Sequence, residues 1–144
     1  LARYFDYIPK IIIVEPENAA CVFQSIKAGK IEKISIQKES IMGGMSCDEV
    51  SLVPWEILKN SVNYCVTISD DNISKTVKYL FNSKLSSEKI IGGECSTPGI
   101  ISLIAMCNDT KIKDTIDLNK DSNLLLFGCE GDADEELYQK LLNN

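Results

Sequence analysis

The sequence predicts an α/β fold: a partial three-layer αβα domain with a predominantly parallel sheet. Three observations carry this expectation. Short apolar runs rich in β-branched residues alternate with stretches of helical apolar spacing, and capping or turn residues separate the two. The 144 residues are 44% hydrophobic, enough for one unit that buries roughly 70% of its unfolded surface.

The elements follow in order. Residues 11–14 (Ile-Ile-Ile-Val) read as a strand buried on both faces, ended by Glu15 and Pro16. Asn18 is expected to cap a helix whose Ala19, Val22, Phe23 and Ile26 share one face, with Gly29 as its stop. Residues 31–37 alternate apolar and polar side chains, the period of a half-buried strand. Pro54 favours the first turn of a helix carrying Trp55, Ile57 and Leu58. Residues 64–69 form the next predicted strand, after which Asp70 and Asp71 suit the start of a helix with Ile73, Val77, Leu80 and Phe81 inward. Thr97 and Pro98 open a helix over residues 99–107, apolar nearly all round and therefore expected to be buried. A short helix with Ile112 and Ile116 inward precedes a last strand at residues 124–127, and the tail from Asp134 offers Leu137 and Leu141 one turn apart.

Composition removes several function classes. Fifteen basic against 21 acidic residues give a net charge of −6, the wrong footprint for gripping nucleic-acid phosphates. With no histidine, neither a Ser-His-Asp nor a Cys-His system can be assembled, and zinc would have to be held by cysteines and carboxylates. Six cysteines, at 21, 47, 65, 95, 107 and 129, lie in apolar runs with no two separated by two residues. They read as buried reduced thiols of a cytoplasmic protein. The longest strongly apolar stretch, near Ile100 to Cys107, is far below a membrane span, and no secretory signal opens the chain. Leu1 and the abrupt start LARYFDYIPK suggest a fragment or a processed chain.

Parallel sheets bind ligands beyond the carboxyl ends of their strands. The search therefore falls on EPENAA, SIMGGMSC, SDD, IGGECSTPG and GCEGDAD.

Read together and in order, IIIVEPENAACVFQSIKAGK, SIMGGMSCDEVSLVPWEIL, GGECSTPGI and LLLFGCEGDADEELY resemble the diaminopropionate ammonia-lyase family. That family falls within pyridoxal-phosphate fold type II, the tryptophan-synthase β-like superfamily. The resemblance spans nearly all of residues 1–144 and implies the C-terminal part of such an enzyme. It further implies pyridoxal 5'-phosphate as cofactor, with the Schiff-base lysine and phosphate loop upstream, so that no catalytic residue lies in this stretch and the stretch alone is inactive. The implied reaction is α,β-elimination of the amino acid 2,3-diaminopropionate to pyruvate and ammonia, in a cytoplasmic homodimer without nucleic-acid or membrane partners.

The same resemblance implies individual roles. Cys129 stands where relatives place a residue facing the pyridine nitrogen; this branch usually has threonine there. Glu94 falls where the superfamily carries a glutamate close to the cofactor ring, although the following Cys95, Ser96, Thr97 and Pro98 depart from the usual Ser-Gly-Ala-Val. Gly44, with Gly43 and Met42 beside it, corresponds to a loop laid along one face of the ring, where glycine permits close backbone approach. Asp48 and Val50 replace the family's usual glycine and proline on that rim. Some fold type II relatives hold a cation through positions equivalent to Glu15, Ala19 and Cys21, but a thiol replaces a hard oxygen ligand here, so no metal is expected. The acidic group Asp132, Asp134, Glu135 and Glu136 lacks the EF-hand loop pattern and reads as a solvated helix start. Two other readings stay open: a threonine or serine dehydratase-like enzyme of the same superfamily, and a non-catalytic α/β ligand-binding domain.

Overall fold

The computed structural model describes residues 8–144; the start of the chain, on which the fragment reading partly rests, lies outside the described residues. Strand β1 (Ile12–Pro16) pairs in parallel with β2 (Tyr64–Ile68), Ile12 opposite Tyr64 and Pro16 opposite Ile68. Parallel pairing requires a crossover, supplied here by helices α1 (Cys21–Ala28) and α2 (Leu52–Ser61). After β2 come α3 (Ile73–Phe81), α4 (Pro98–Asn108), α5 (Thr110–Ile116) and α6 (Glu135–Asn143).

The sheet is covered on both faces. Side chains alternate along a strand: Val14 and Val66 pack into a core with Ile101 of α4, while the neighbouring Cys65 shares a cavity with Phe23 and Ile26 of α1. That arrangement is the three-layer αβα order. The main core joins Met42, Ile68, Ile73, Val77, Tyr138 and Leu141, bringing α3, α4 and α6 together. Each fully buried aliphatic side chain there is worth roughly 1.5–3 kcal/mol. A second core of Cys21, Val50 and Trp55 lies under α2, with Ile31 and Ile34 packed against it.

Several local expectations need correction. β1 runs on through Glu15 and Pro16, and its apolar residues 12–14 are only half-buried, since among the described residues the strand has a paired neighbour on one side alone. Asn18 does not cap α1. Glu15 does so from the strand end, its carboxylate accepting from the backbone N–H groups of Val22 (2.9 Å) and Phe23 (2.7 Å). The helix buries Cys21 and Ser25 most deeply rather than Val22 and Phe23, and Gly29 ends it in the left-handed conformation, φ 71°. Residues 31–37 form no strand: Ile34 makes one bond, to the Asp48 carbonyl. Residues 124–127 form none either and are exposed. An alternating or apolar run becomes a strand only where a partner completes its ladder. On α4, Ile101, Ser102 and Met106 are buried but Ile104, Ala105 and Cys107 are exposed, so the helix is not enclosed all round. Ile112 is exposed too, whereas Asp134 caps α6 as a helix start should, accepting from Leu137 N–H at 2.9 Å.

Candidate functional site

Two segments more than thirty residues apart meet beside β1: residues 93–96, which include the 3-10 turn Glu94–Ser96, and residues 128–131. Their union is polar and dense. The Gly93 N–H donates to the Glu130 carbonyl at 3.1 Å, the Glu130 N–H to Ser96 Oγ at 3.0 Å, and the Ser96 hydroxyl back to the Glu130 carbonyl. Glu130 Oε2 accepts from the Cys95 N–H at 3.2 Å. Close backbone approach explains the glycines: a methyl on Gly93 would sit 2.3 Å from the Gly131 carbonyl oxygen.

The GGM loop, a 3-10 turn over Gly43–Met45, packs on this latch, and a Cβ on Gly44 would touch Cys95 Sγ at 3.4 Å. Asp70 holds the loop. It does not cap α3 through its side chain; its carboxylate takes the Ser40 hydroxyl (2.6 Å) and the Ile41 N–H (3.0 Å). Neither Gly43 nor Gly44 adopts positive φ, so their role here is small size and exposed backbone.

Beyond the latch opens an apolar cavity of about 340 Å³, with Cys129, Cys95, Met45 and Val14 among its walls. The Cys129 thiol is exposed there and donates weakly to the Cys95 carbonyl at 3.8 Å. Behind Cys95, away from the cavity, Glu94 is 9% exposed and faces Glu130. Burial above all, and then the Glu130 and Asp134 charges, push the Glu94 carboxyl above its ordinary value. Burial, then the hydrogen bond with Glu130, pushes the Cys95 thiol up to about 12. Oxygen and sulfur atoms of Glu94, Cys95 and Glu130 lie within 4.8 Å of one another. Such a trio has ligand types for a divalent cation.

Of the five residues singled out in the sequence, Cys129 lines the cavity, and Gly44 and Gly43 stand on the loop at its rim. Met42 is fully buried in the main core. Glu94 lies one layer back. Sequence reasoning missed Glu130, Ser96 and Asp70, whose partners are distant in the chain and leave no local spacing signal. It also read the cysteines as uniformly buried, whereas Cys47, Cys107 and Cys129 are exposed; among the described residues all six thiols are free. Glu15 spends both carboxylate oxygens on the α1 N-terminus.

The cavity is mostly apolar, with two cysteines among its walls. The exposed Cys129 opens on it, and the loop that carries Met45 into its wall also holds Gly43 and Gly44.

The family model described as "Pyridoxal-phosphate dependent enzyme" matches residues 1–116. The chain is 30% identical over 134 residues to the diaminopropionate ammonia-lyase of Escherichia coli K12, covering 91% of this chain and 34% of that protein. It is 25% identical over 145 residues to the enzyme of the same name from Salmonella typhimurium, covering 96% and 36%. The crystal structure of the Escherichia coli enzyme in complex with D-serine superposes with a TM-score of 0.80 at 29% identity, over 92% of this chain and 33% of that one. Maize serine racemase superposes at 0.70 with 18% identity, over 93% and 39%, a likeness of fold alone. The chain thus spans about a third of the length of the relatives it matches. Among the described residues no helix is long and apolar enough to cross a membrane.

Proposed function

The chain belongs to the pyridoxal-phosphate dependent enzyme family, and from that premise we propose that it forms the C-terminal part of an ammonia-lyase acting on 2,3-diaminopropionate. The observation that carries the site is Cys129, an exposed thiol on the wall of an apolar cavity, on a segment latched to residues 93–96. Bound pyridoxal phosphate supplies an electron sink for charge developing at the substrate α-carbon. Cys129 would face the ring nitrogen, and a neutral thiol leaves that nitrogen less protonated than a carboxylate would. Glu130 and Ser96 fix the backbone that carries Cys129, while Glu94 lies behind it, its carboxyl raised by burial and then by Glu130. Gly43 and Gly44 leave one face of the ring open to backbone contact; Met42 anchors their loop in the core. Six free cysteines and the family resemblance support a cytoplasmic homodimer.

The test is release of a 2-oxo acid by the protein that contains this chain, supplied with pyridoxal phosphate: pyruvate from 2,3-diaminopropionate or L-serine, 2-oxobutyrate from L-threonine. Preference for diaminopropionate is expected; preference for threonine would assign the dehydratase branch instead. Residues 1–144 alone should release none. In that whole protein Cys129→Thr should keep cofactor affinity, Cys129→Ala should weaken it by about 1 kcal/mol or less, and Cys129→Asp should shift the cofactor absorbance. Unchanged absorbance, affinity and rate in Cys129→Asp would remove Cys129 from the site.

A further inference from the structure

The loop that carries Gly43 and Gly44 is anchored at its base and bare at its tip. Its two ends are tied together, the Ser40 N–H donating to Ser46 Oγ at 3.2 Å, and inside it the Met42 N–H donates to Ser40 Oγ at 3.1 Å. Ser40 and Met42 are buried; Gly43 and Gly44 are exposed, with Gly44 against Cys95. A loop closed on itself in this way shifts as a unit, so the place of its tip depends on what holds its base.

That hold comes from a residue thirty positions away from Ser40. Asp70 spends both carboxylate oxygens on the base, Oδ1 taking the Ser40 hydroxyl (2.6 Å) and Oδ2 the Ile41 N–H (3.0 Å). Its own mount is firm, because Ile68 and Ile73 on either side of it are buried in the core that also takes Met42. The neighbouring Asp71 has a local role instead and accepts from the Ser69 hydroxyl at 2.9 Å. Hydrogen bonds to a charged acceptor are the stronger kind, and two of them from one carboxylate fix direction as well as distance.

We propose that Asp70 is a positioning residue for the elimination: through Ser40 and Ile41 it fixes where the Gly43–Gly44 tip stands against the cofactor ring. The inference rests on the reading of the cavity as the cofactor's place and adds to it a residue outside the cavity walls. Groups around a reacting centre must be held to about 0.5 Å, and a misplacement of about 1 Å can cost about a hundredfold in rate. Removing the Asp70 carboxylate removes the two bonds that oppose such a displacement.

The test uses the whole protein that contains this chain, loaded with pyridoxal phosphate and followed by the visible circular dichroism of the bound cofactor as well as by turnover. In the unaltered protein the cofactor should slow amide exchange at residues 43–45 about tenfold or more. No slowing would show that the tip does not face the ring and would overturn the inference, whichever amino acid the enzyme consumes. Asp70→Ala should lower kcat about tenfold or more and reduce the cofactor's dichroism, with KM changed much less. Asp70→Asn keeps an oxygen for the Ile41 N–H and should recover part of both signals. Ser40→Ala leaves the carboxylate and its Ile41 bond in place; it should move the dichroism the same way by less, and it decides the matter if Asp70→Ala does not fold. Ser74→Ala removes the bond from Ser74 to the Leu141 carbonyl (2.6 Å) between α3 and α6, a control in which stability falls and the cofactor signals stay. Unchanged dichroism and kcat in folded Asp70→Ala, or equal losses in Ser74→Ala, would reduce Asp70 to a structural residue. The expected cofactor signals without pyruvate from 2,3-diaminopropionate would uphold the role of Asp70 and overturn only the substrate assignment.

Discussion

Gly93 and Gly131 are so close that a methyl group on the first would lie 2.3 Å from the carbonyl oxygen of the second. Only a missing side chain lets residues 93–96 and 128–131 share their hydrogen bonds. Gly93→Ala should therefore destabilise the chain by roughly 1–3 kcal/mol, as overpacking does. At Gly43 a Cβ would meet nothing within 4 Å, so Gly43→Ala should stay within about 0.5 kcal/mol. Paired urea titrations separate the two.

Asp70 and Ser40 make a comparable link at 2.6 Å, holding the GGM loop to the start of α3. Removing the carboxylate strands the buried Ser40 hydroxyl and the Ile41 N–H. Asp70→Ala should cost about 1.5–3 kcal/mol, the range for hydrogen bonds to a charged group. Faster amide exchange at residues 41–46 should accompany it, with Asp70→Asn intermediate.

Tyr138 packs edge-on to Phe81, ring centroids 6.4 Å apart, yet its buried hydroxyl has no hydrogen-bond partner among the described residues. Tyr138→Phe keeps the ring contact and deletes the stranded group. Thermal unfolding should show a change between zero and about 1 kcal/mol in the stabilising direction; a clear loss of stability would reveal a partner for that hydroxyl.

Glu94 sets a pH dependence with a definite sign. Its carboxyl is raised in the folded chain by burial and then by Glu130, so between the ordinary carboxylate value of 4.5 and the raised one the folded state binds more protons than the unfolded. Stability is full below that window and falls as pH rises through it. Glu15, raised by burial against the bonds from Val22 and Phe23, acts in the same direction. Glu94→Gln should flatten the decline in part, leaving the Glu15 share. A profile of unfolding free energy from pH 4 to pH 8 that is identical in the variant would disprove the link.

Thiol alkylation should follow burial and thiolate supply. Cys21, pushed up to about 11 by burial and then by Glu15, and Cys95, at about 12, are both buried. They should label last at neutral pH, with exposed Cys47, Cys107 and Cys129 first. Mass-spectrometric mapping after brief iodoacetamide treatment gives the order.

Gly29, Ile73, Val77, Leu80 and the Asp134 cap behave as their local patterns predict, because helix periodicity and capping are set within a turn or two of chain; residues 64–68 form their strand because residues 12–16 lie beside them. Residues 31–37 and 124–127 carry equally good strand patterns and form none, since a ladder needs a partner whose place is set elsewhere. Glu15 looked like the end of a strand and is also the cap of the next helix; that role appears only when strand and helix are packed. The site divides in the same way. Cys129 and the Gly43–Gly44 pair were visible through motif and residue type. Glu130 against Cys95, Asp70 against Ser40 and Gly93 against Gly131 were not. Sequence alone determined the helices and the parallel β-α-β order, through local hydrogen bonding and apolar periodicity. Tertiary structure decided which strands pair and which carboxyls are buried together, because both depend on contacts between residues some thirty or more positions apart.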